Sequence, residues 1–227
     1  MPNPPIDTES LDANGYAIAP GLLDARACRE LRELWTDEGA FRKRIVMQNH
    51  GYGQGEYQYF RYPLPEPVAR LREALYPELA AVANRWNEAL EKKERYPASL
   101  KAWLKRCHDG GQKRPTPLLL RYGPGDYNCL HRDLYGDLVF PLQATILLSD
   151  AGRDFSGDEF LLVEQRPRMQ SRGEVVPLAQ GDAVLFSVNE RPVTGKKRVY
   201  RTAMRHGVSR LRSGERLTLG IIFHDAA

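Results

Sequence analysis

From Pro115 onward the chain breaks into short extended runs, and this pattern constrains its fold more than any other feature. The runs are LLLRY (118–122), LQATILL (142–148), EFLLVE (159–164), EVVPL (174–178), AVLFSV (183–188) and RLTLGIIF (216–223), separated by Gly, Asp, Asn and Pro. Short strands between turn residues specify an all-β sandwich or barrel. Before Pro115 the periodicity is mainly helical. Residues 22–35 read as a helix, with Asp24 placed to cap it and Leu31, Leu34 and Trp35 at helical spacing. Residues 66–93 repeat the pattern, and Pro77 is expected to break or kink the run. A short helix is expected near 99–107. Extended segments are expected at 15–18, 42–48 and 57–62, the last two around the turn HGYGQGE. Residues 1–10 read as loose. The fold class is therefore α+β, with N-terminal helices packed against a β core. One domain is expected over 1–227: mainly helical support and substrate-side elements in 1–115, and the β core in 116–227.

The totals exclude several classes. No apolar run approaches the roughly 18 residues that span a membrane, and the acidic, proline-rich start lacks the pattern of a secretory signal. Cys28, Cys107 and Cys129 are odd in number and show no CxxC spacing. They argue for a reducing compartment, so the cytoplasm is expected, and they read as buried small hydrophobes. Net charge is +4. Basic residues gather at Arg191, Lys196, Lys197, Arg198, Arg201, Arg205, Arg210, Arg212 and Arg216, against the single acid Glu215. That stretch is either a solvated basic face or a surface for a polyanion.

The chemistry begins at NCLHRDLYGDL (128–138). If this segment is extended, His131 and Asp133 point the same way. A third ligand must come from a distant neighbouring strand, and His206 in MRHGVS is the best candidate. Two imidazoles and one carboxylate with open positions suit the Fe(II) of a non-heme oxygenase. Zinc accepts the same ligand types but leaves Arg216 unexplained. An arginine reaching back beside a metal, with Thr218 on the same strand face, suits a bidentate grip on a carboxylate.

These residues stand in a longer ordered set. HxD is followed by FSGDEF (155–160), VPLAQGDAVLF (176–186), His206 and Arg216. The set resembles the Fe(II)/2-oxoglutarate dioxygenases over about residues 118–224. In FSGDEF, Asp158 stands where that family's F-x-G-G-E turn has its second Gly. The resemblance implies a double-stranded β-helix, or jelly roll, with Fe(II) held by His131, Asp133 and His206. It implies that Arg216, helped by Thr218, pairs with the distal carboxylate of 2-oxoglutarate, and that O2 is the other co-substrate. RYGPGDYNCLHRD (121–133) is similar to a segment of the AlkB-type nucleic-acid demethylases, which implies a hydrogen bond from Tyr122 to 2-oxoglutarate. Where that pattern has an Asn, this chain has Leu120, and Asn128 is the candidate replacement. The second Arg of the AlkB last strand is also missing here. EQRPRMQSR (164–172) and RHGVSRLRSGER resemble a bacterial oxygenase family described as acting on damaged DNA. Residues 15–34 resemble the first strand and helix of prolyl-hydroxylase-like enzymes.

The expected reaction is hydroxylation coupled to decarboxylation of 2-oxoglutarate. The expected substrate is an alkylated base of DNA or RNA, and the alternative is a protein side chain or a small metabolite. A non-enzymatic binding module is opposed by the complete ligand set. His50 reads as an exposed loop residue or part of a substrate lid. Tyr57 and Tyr59 read as sheet residues or as a stacking platform for a base. Arg166, Arg168 and Arg172 would bind phosphates or pair with Glu164. His108 and His224 read as structural, and Asp182 as a turn cap.

Overall fold

The computed structural model describes residues 6–195 and 198–227. Its first half runs α1 (Thr8–Asn14), β1 (Tyr16–Ala19), α2 (Ala25–Glu33), β2 (Phe41–Val46), β3 (Gly53–Gln54), β4 (Glu56–Phe60), α3 (Glu66–Ala89) and α4 (Leu100–Asp109). The second half begins with β5 (Leu118–Tyr122), β6 (Tyr127–His131), β7 (Leu142–Leu147), β8 (Phe155–Gly157), β9 (Phe160–Gln165) and β10 (Arg172–Val176). It ends with β11 (Ala183–Ser187), β12 (Glu190–Thr194), β13 (Val199–Val208), β14 (Leu211–Gly214) and β15 (Arg216–Ile222). The named strands pair antiparallel throughout. One sheet has seven strands in the order β1-β11-β7-β15-β5-β4-β2; the other runs β10-β9-β13-β6-β3, with β12 beside β13. From β5 to β15 the chain crosses back and forth between the two sheets. This is the jelly roll that the sequence resemblance implied.

The site follows from strand periodicity. Along β15, Leu217, Leu219 and Ile221 join the core cluster beneath the helices. Arg216, Thr218 and Gly220 face the cavity between the sheets. On β7 the split is the same: Leu142, Ala144 and Ile146 face the helices, and Gln143 and Thr145 face the cavity. The helices bury Leu71, Leu75, Leu79 and Val82 of α3 and Trp103 of α4 against this sheet. Each such side chain contributes roughly 1.5–3 kcal/mol of transfer free energy. None of the described helices is long and apolar enough to cross a membrane.

Three local expectations change. Part of the segment read as loose is α1: Asp7 accepts from the Ser10 amide, and Gly15, in the left-handed region at φ 81°, ends the helix. Residues 1–5 of that segment lie outside the described residues. Helix α3 runs unbroken through Pro77. Pro77 and Glu73, whose carbonyl loses its partner, both face solvent, so water can serve the freed group. Residues 212–215 read from the sequence as the turn of a hairpin leading into the last strand; instead Leu211–Gly214 form β14, which pairs with β8, while β15 pairs with β5 and β7. Both capping residues perform as their types suggest. Asp24 accepts from the Ala27 amide at 2.7 Å, and Asp182 accepts from Ala179 and Gly21 amides at 2.9 and 2.8 Å.

Candidate metal centre

Strand pairing builds the centre. His206 of β13 lies directly across from His131 of β6, with ring centroids 4.2 Å apart. The register slips just after His206, where Gly207 lets the strands close. A Cβ there would sit 2.7 Å from the Asn128 carbonyl oxygen. Asp133 follows β6 and turns its carboxylate between the two rings. Its oxygens lie 3.4 Å from His131 Nε2 and 3.3 Å from His206 Nε2. One donor atom from each residue falls within 4.8 Å of the other two. His131 Nδ1–H donates to the Cys129 carbonyl at 2.7 Å, which leaves the Nε2 lone pair facing inward.

Electrostatics suits a cation. Burial alone would raise the Asp133 carboxyl, but hydrogen bonds and charge from His131 and His206 outweigh it and hold the group well below the usual carboxylate range. Burial, helped by His131, lowers His206 and favours its neutral, ligating form. At His131 burial also opposes the charge, yet the bond to Asp133 carries the balance upward. Tyr135 OH donates to Asp133 Oδ1 at 2.7 Å and Gln143 Nε2 to Oδ2 at 2.9 Å. These two neighbours orient the carboxylate. Tyr135→Phe is expected to weaken Mn(II) binding on the order of tenfold, as loss of such an outer contact typically does. Isothermal titration checks this, and unchanged affinity would show that Gln143 alone suffices.

The same cavity also suits an anion. The cavity encloses about 350 Å3. Arg216 is buried there, and its Nε and Nη1 have no hydrogen-bond partner among the described residues. Tyr122 and Phe155 present ring faces to the guanidinium. Thr218 lies two residues along the same face. Asn128 Nδ2 reaches Tyr122 OH at 3.4 Å, and both residues line the cavity. A buried guanidinium with free donors fits a carboxylate guest, and the His–Asp–His set fits iron.

The remaining residues separate. Tyr57 lines the cavity; Tyr59 packs behind it, edge-on to both Tyr57 and Tyr135. His50 is exposed and does not line the cavity, but its ring stacks on Tyr52, which does. Arg166 binds Glu164 at 2.6 Å, and Arg172 lies 3.9 Å from the same carboxylate. The basic stretch is not one surface: Arg191 is buried against Glu164 and Arg216 lies in the cavity. Lys196 and Lys197 lie outside the described residues. His224 Nδ1 accepts from the Phe140 amide, and His108 contacts Asp225. Cys28 and Cys107 are buried, but Cys129 is exposed and lines the cavity. Tyr52, Tyr135, Gln143 and Thr145 were not anticipated. For Gln143 and Thr145 a signal existed: two polar residues at period two inside an apolar strand.

Comparison with known proteins agrees with this geometry. Residues 55–226 match Oxygenase-NA, a family described as an oxygenase catalysing oxidative methylation of damaged DNA. An uncharacterised Mycobacterium tuberculosis protein is 51% identical over 168 residues, which cover 74% of this chain and 72% of that one. Among solved structures, a Burkholderia pseudomallei oxidoreductase of the 2OG-Fe(II) oxygenase family aligns with a TM-score of 0.54 at 17% identity, covering 97% of this chain and 91% of that one. A Pseudomonas putida prolyl-4-hydroxylase aligns with a TM-score of 0.52 at 16% identity, covering 94% of each chain. These structural likenesses concern the fold. The chain belongs to the Oxygenase-NA family of oxygenases, carried on the jelly roll of the 2OG-Fe(II) enzymes.

Proposed function

We propose that this oxygenase hydroxylates N-alkyl groups on damaged DNA bases, using Fe(II), 2-oxoglutarate and O2. One observation carries the reading: a cation-suited His–Asp–His set and a buried, underpaired arginine share one cavity. The family description, which concerns damaged DNA, supports the choice of substrate. When bound, iron with 2-oxoglutarate and O2 supplies the oxidation: the oxo acid becomes succinate and CO2, and one oxygen atom enters a substrate C–H bond. His131, Asp133 and His206 would hold the metal, and Arg216 with Thr218 the distal carboxylate. Tyr122 and Phe155 exclude water from that carboxylate. A hydroxylated N-methyl group then breaks its C–N bond, giving formaldehyde and a base N–H. For such a centre, action on a methylated base is therefore demethylation.

The rim supports a base as guest. Tyr52 is half exposed and Tyr57 forms part of the wall. Their rings offer faces to a base drawn out of its stack. Succinate and formaldehyde are expected together when the Fe(II)-loaded protein meets 2-oxoglutarate and an N-methylated single-stranded oligonucleotide in air. Both should vanish in His131→Ala, and oligonucleotide affinity should fall as salt rises. Succinate without formaldehyde, indifferent to the oligonucleotide, would sink the nucleic-acid reading.

A further inference from the structure

Asp158 is a buried acid beside Arg216. It occupies the turn where the family pattern has glycine, and its backbone sits in the left-handed region at φ 59°. Asp is among the few side chains that tolerate this conformation. Its Oδ2 lies 3.4 Å from Arg216 Nε, both side chains are buried, and neither carboxylate oxygen has a hydrogen-bond partner among the described residues. A second cavity, about 260 Å3, opens on the Asp158 side of Arg216 and gives the carboxyl room to turn.

We propose that Asp158 is a resident counter-ion of Arg216, one that 2-oxoglutarate must displace, so that co-substrate binding is coupled to proton uptake by Asp158. The inference rests on Arg216 receiving the distal carboxylate. One guanidinium cannot neutralise two buried carboxylates, and an excess buried anion is costly. The cheapest relief is a proton on Asp158. Several groups face this carboxyl: Arg216 of β15, Tyr122 of β5, Asp126 of the β5–β6 turn and the adjacent Glu159. Arg210 contributes its carbonyl to the Asp158 amide, and the Arg212 side chain lies against Gly157. Burial pushes the Asp158 carboxyl up to about 7, Arg216 opposes that rise, and Glu159 and Asp126 add to it. When 2-oxoglutarate takes up the Arg216 charge, the opposition goes and the carboxyl rises further. Below about pH 7 the proton is already present and affinity is flat. Above it, each binding event must take a proton from solvent, so affinity falls with rising pH.

The test is calorimetric titration of 2-oxoglutarate into Mn(II)-saturated protein from about pH 6.5, below the Asp158 transition, to about pH 8.5, well above it. For the wild type, Kd is expected to loosen by up to about tenfold per pH unit above 7. Asp158→Asn keeps the shape and the backbone tolerance but has no proton to gain. It should bind about tenfold tighter than wild type at pH 8 and lose most of the slope. Comparing the two cancels any pH dependence of the metal ligands, which they share. An unchanged slope, or weaker binding in the variant, would overturn the inference. Arg216→Met separates the two readings. Its expected loss of affinity alongside an unchanged Asp158→Asn slope defeats the counter-ion alone; wild-type affinity in Arg216→Met defeats both. If Asp158→Asn does not fold, binding enthalpies of the wild type in buffers of different ionisation enthalpy decide. Net proton uptake near pH 7.5, on the order of half a proton, is expected, and zero uptake overturns the proposal.

Discussion

Asp133→Ala is expected to abolish succinate formation and to cost the metal-free fold some stability. The two halves of this result have one cause. Asp133 supplies the only anionic donor of the set, so without it two neutral imidazoles face a divalent cation. Metal affinity should then fall by more than about a hundredfold, beyond what loss of an outer-shell contact costs. Without metal, the same carboxylate is a buried ion held by Tyr135, Gln143 and two imidazoles. The depressed pKa of this carboxyl means that its partners outweigh the cost of burial, so the ionised group stabilises the metal-free fold and its loss should lower Tm. The change also strands the Tyr135 hydroxyl and the Gln143 amide, which adds to the loss. Thermal unfolding with and without Mn(II) reads both effects. The wild type should gain Tm on metal addition, and the variant should not. A variant that still gained the full shift would show that the triad is wrongly assigned, whatever its activity.

The sequence disclosed those parts of this molecule whose physics is periodic. The alternation in RLTLGIIF put Arg216 and Thr218 on one face, and the structure shows that face turned to the cavity. His131 and Asp133 were read as alternating along one strand, but β6 ends at His131 and Asp133 turns in from the segment that follows. That His206 stands directly opposite His131 is a matter of register between strands far apart in sequence, so the sequence offered it only as the best remaining histidine. Strand β13 was itself obscured. Its outward positions carry Arg201 and Arg205 while its inward ones are buried, and dense charge reads as a surface or loop. Tyr135 lay beyond reach because the segment after Asp133 has no regular element and no period. Tyr52 enters through β3, a two-residue strand whose pairing with β6 no propensity announces. Pro77 misled in the other direction: a local rule was overridden because the helix's exposed face could lose a hydrogen bond to water.

The Asp133 environment depends on a further buried charge pair, and breaking it should have the largest effect on stability. Arg72 of α3 bonds Asp225 at 2.8 Å, and both side chains are excluded from solvent. Arg72 also donates to the Ile222 carbonyl at 2.9 Å and to Tyr62 OH at 3.1 Å, so one guanidinium ties α3 to the end of β15. The remaining lone pairs of Asp225 accept from Tyr62 OH and His108 Nε2, at 2.8 and 2.7 Å. Arg72→Ala removes the arginine that pairs with this carboxylate. Stranding a buried ion typically costs about 3–5 kcal/mol, which for a chain of this size is a fall in Tm of about 10 °C. The Arg72→Met, Asp225→Leu double variant removes both charges and should regain most of that loss, which separates charge imbalance from lost packing. The effect should also reach the metal. Gln112 bonds the Asp225 carbonyl at 2.6 Å and the Tyr135 and Leu138 carbonyls at 3.1 and 3.0 Å. It thereby fastens the segment that carries Tyr135 to the same chain end. Loosening Asp225 frees that segment, and with it the hydroxyl that orients Asp133. Mn(II) affinity of Arg72→Ala, measured well below its Tm, should therefore fall toward that of Tyr135→Phe. Wild-type affinity at unchanged Tm would mean that water enters beside Asp225 and that the clasp and the centre are independent.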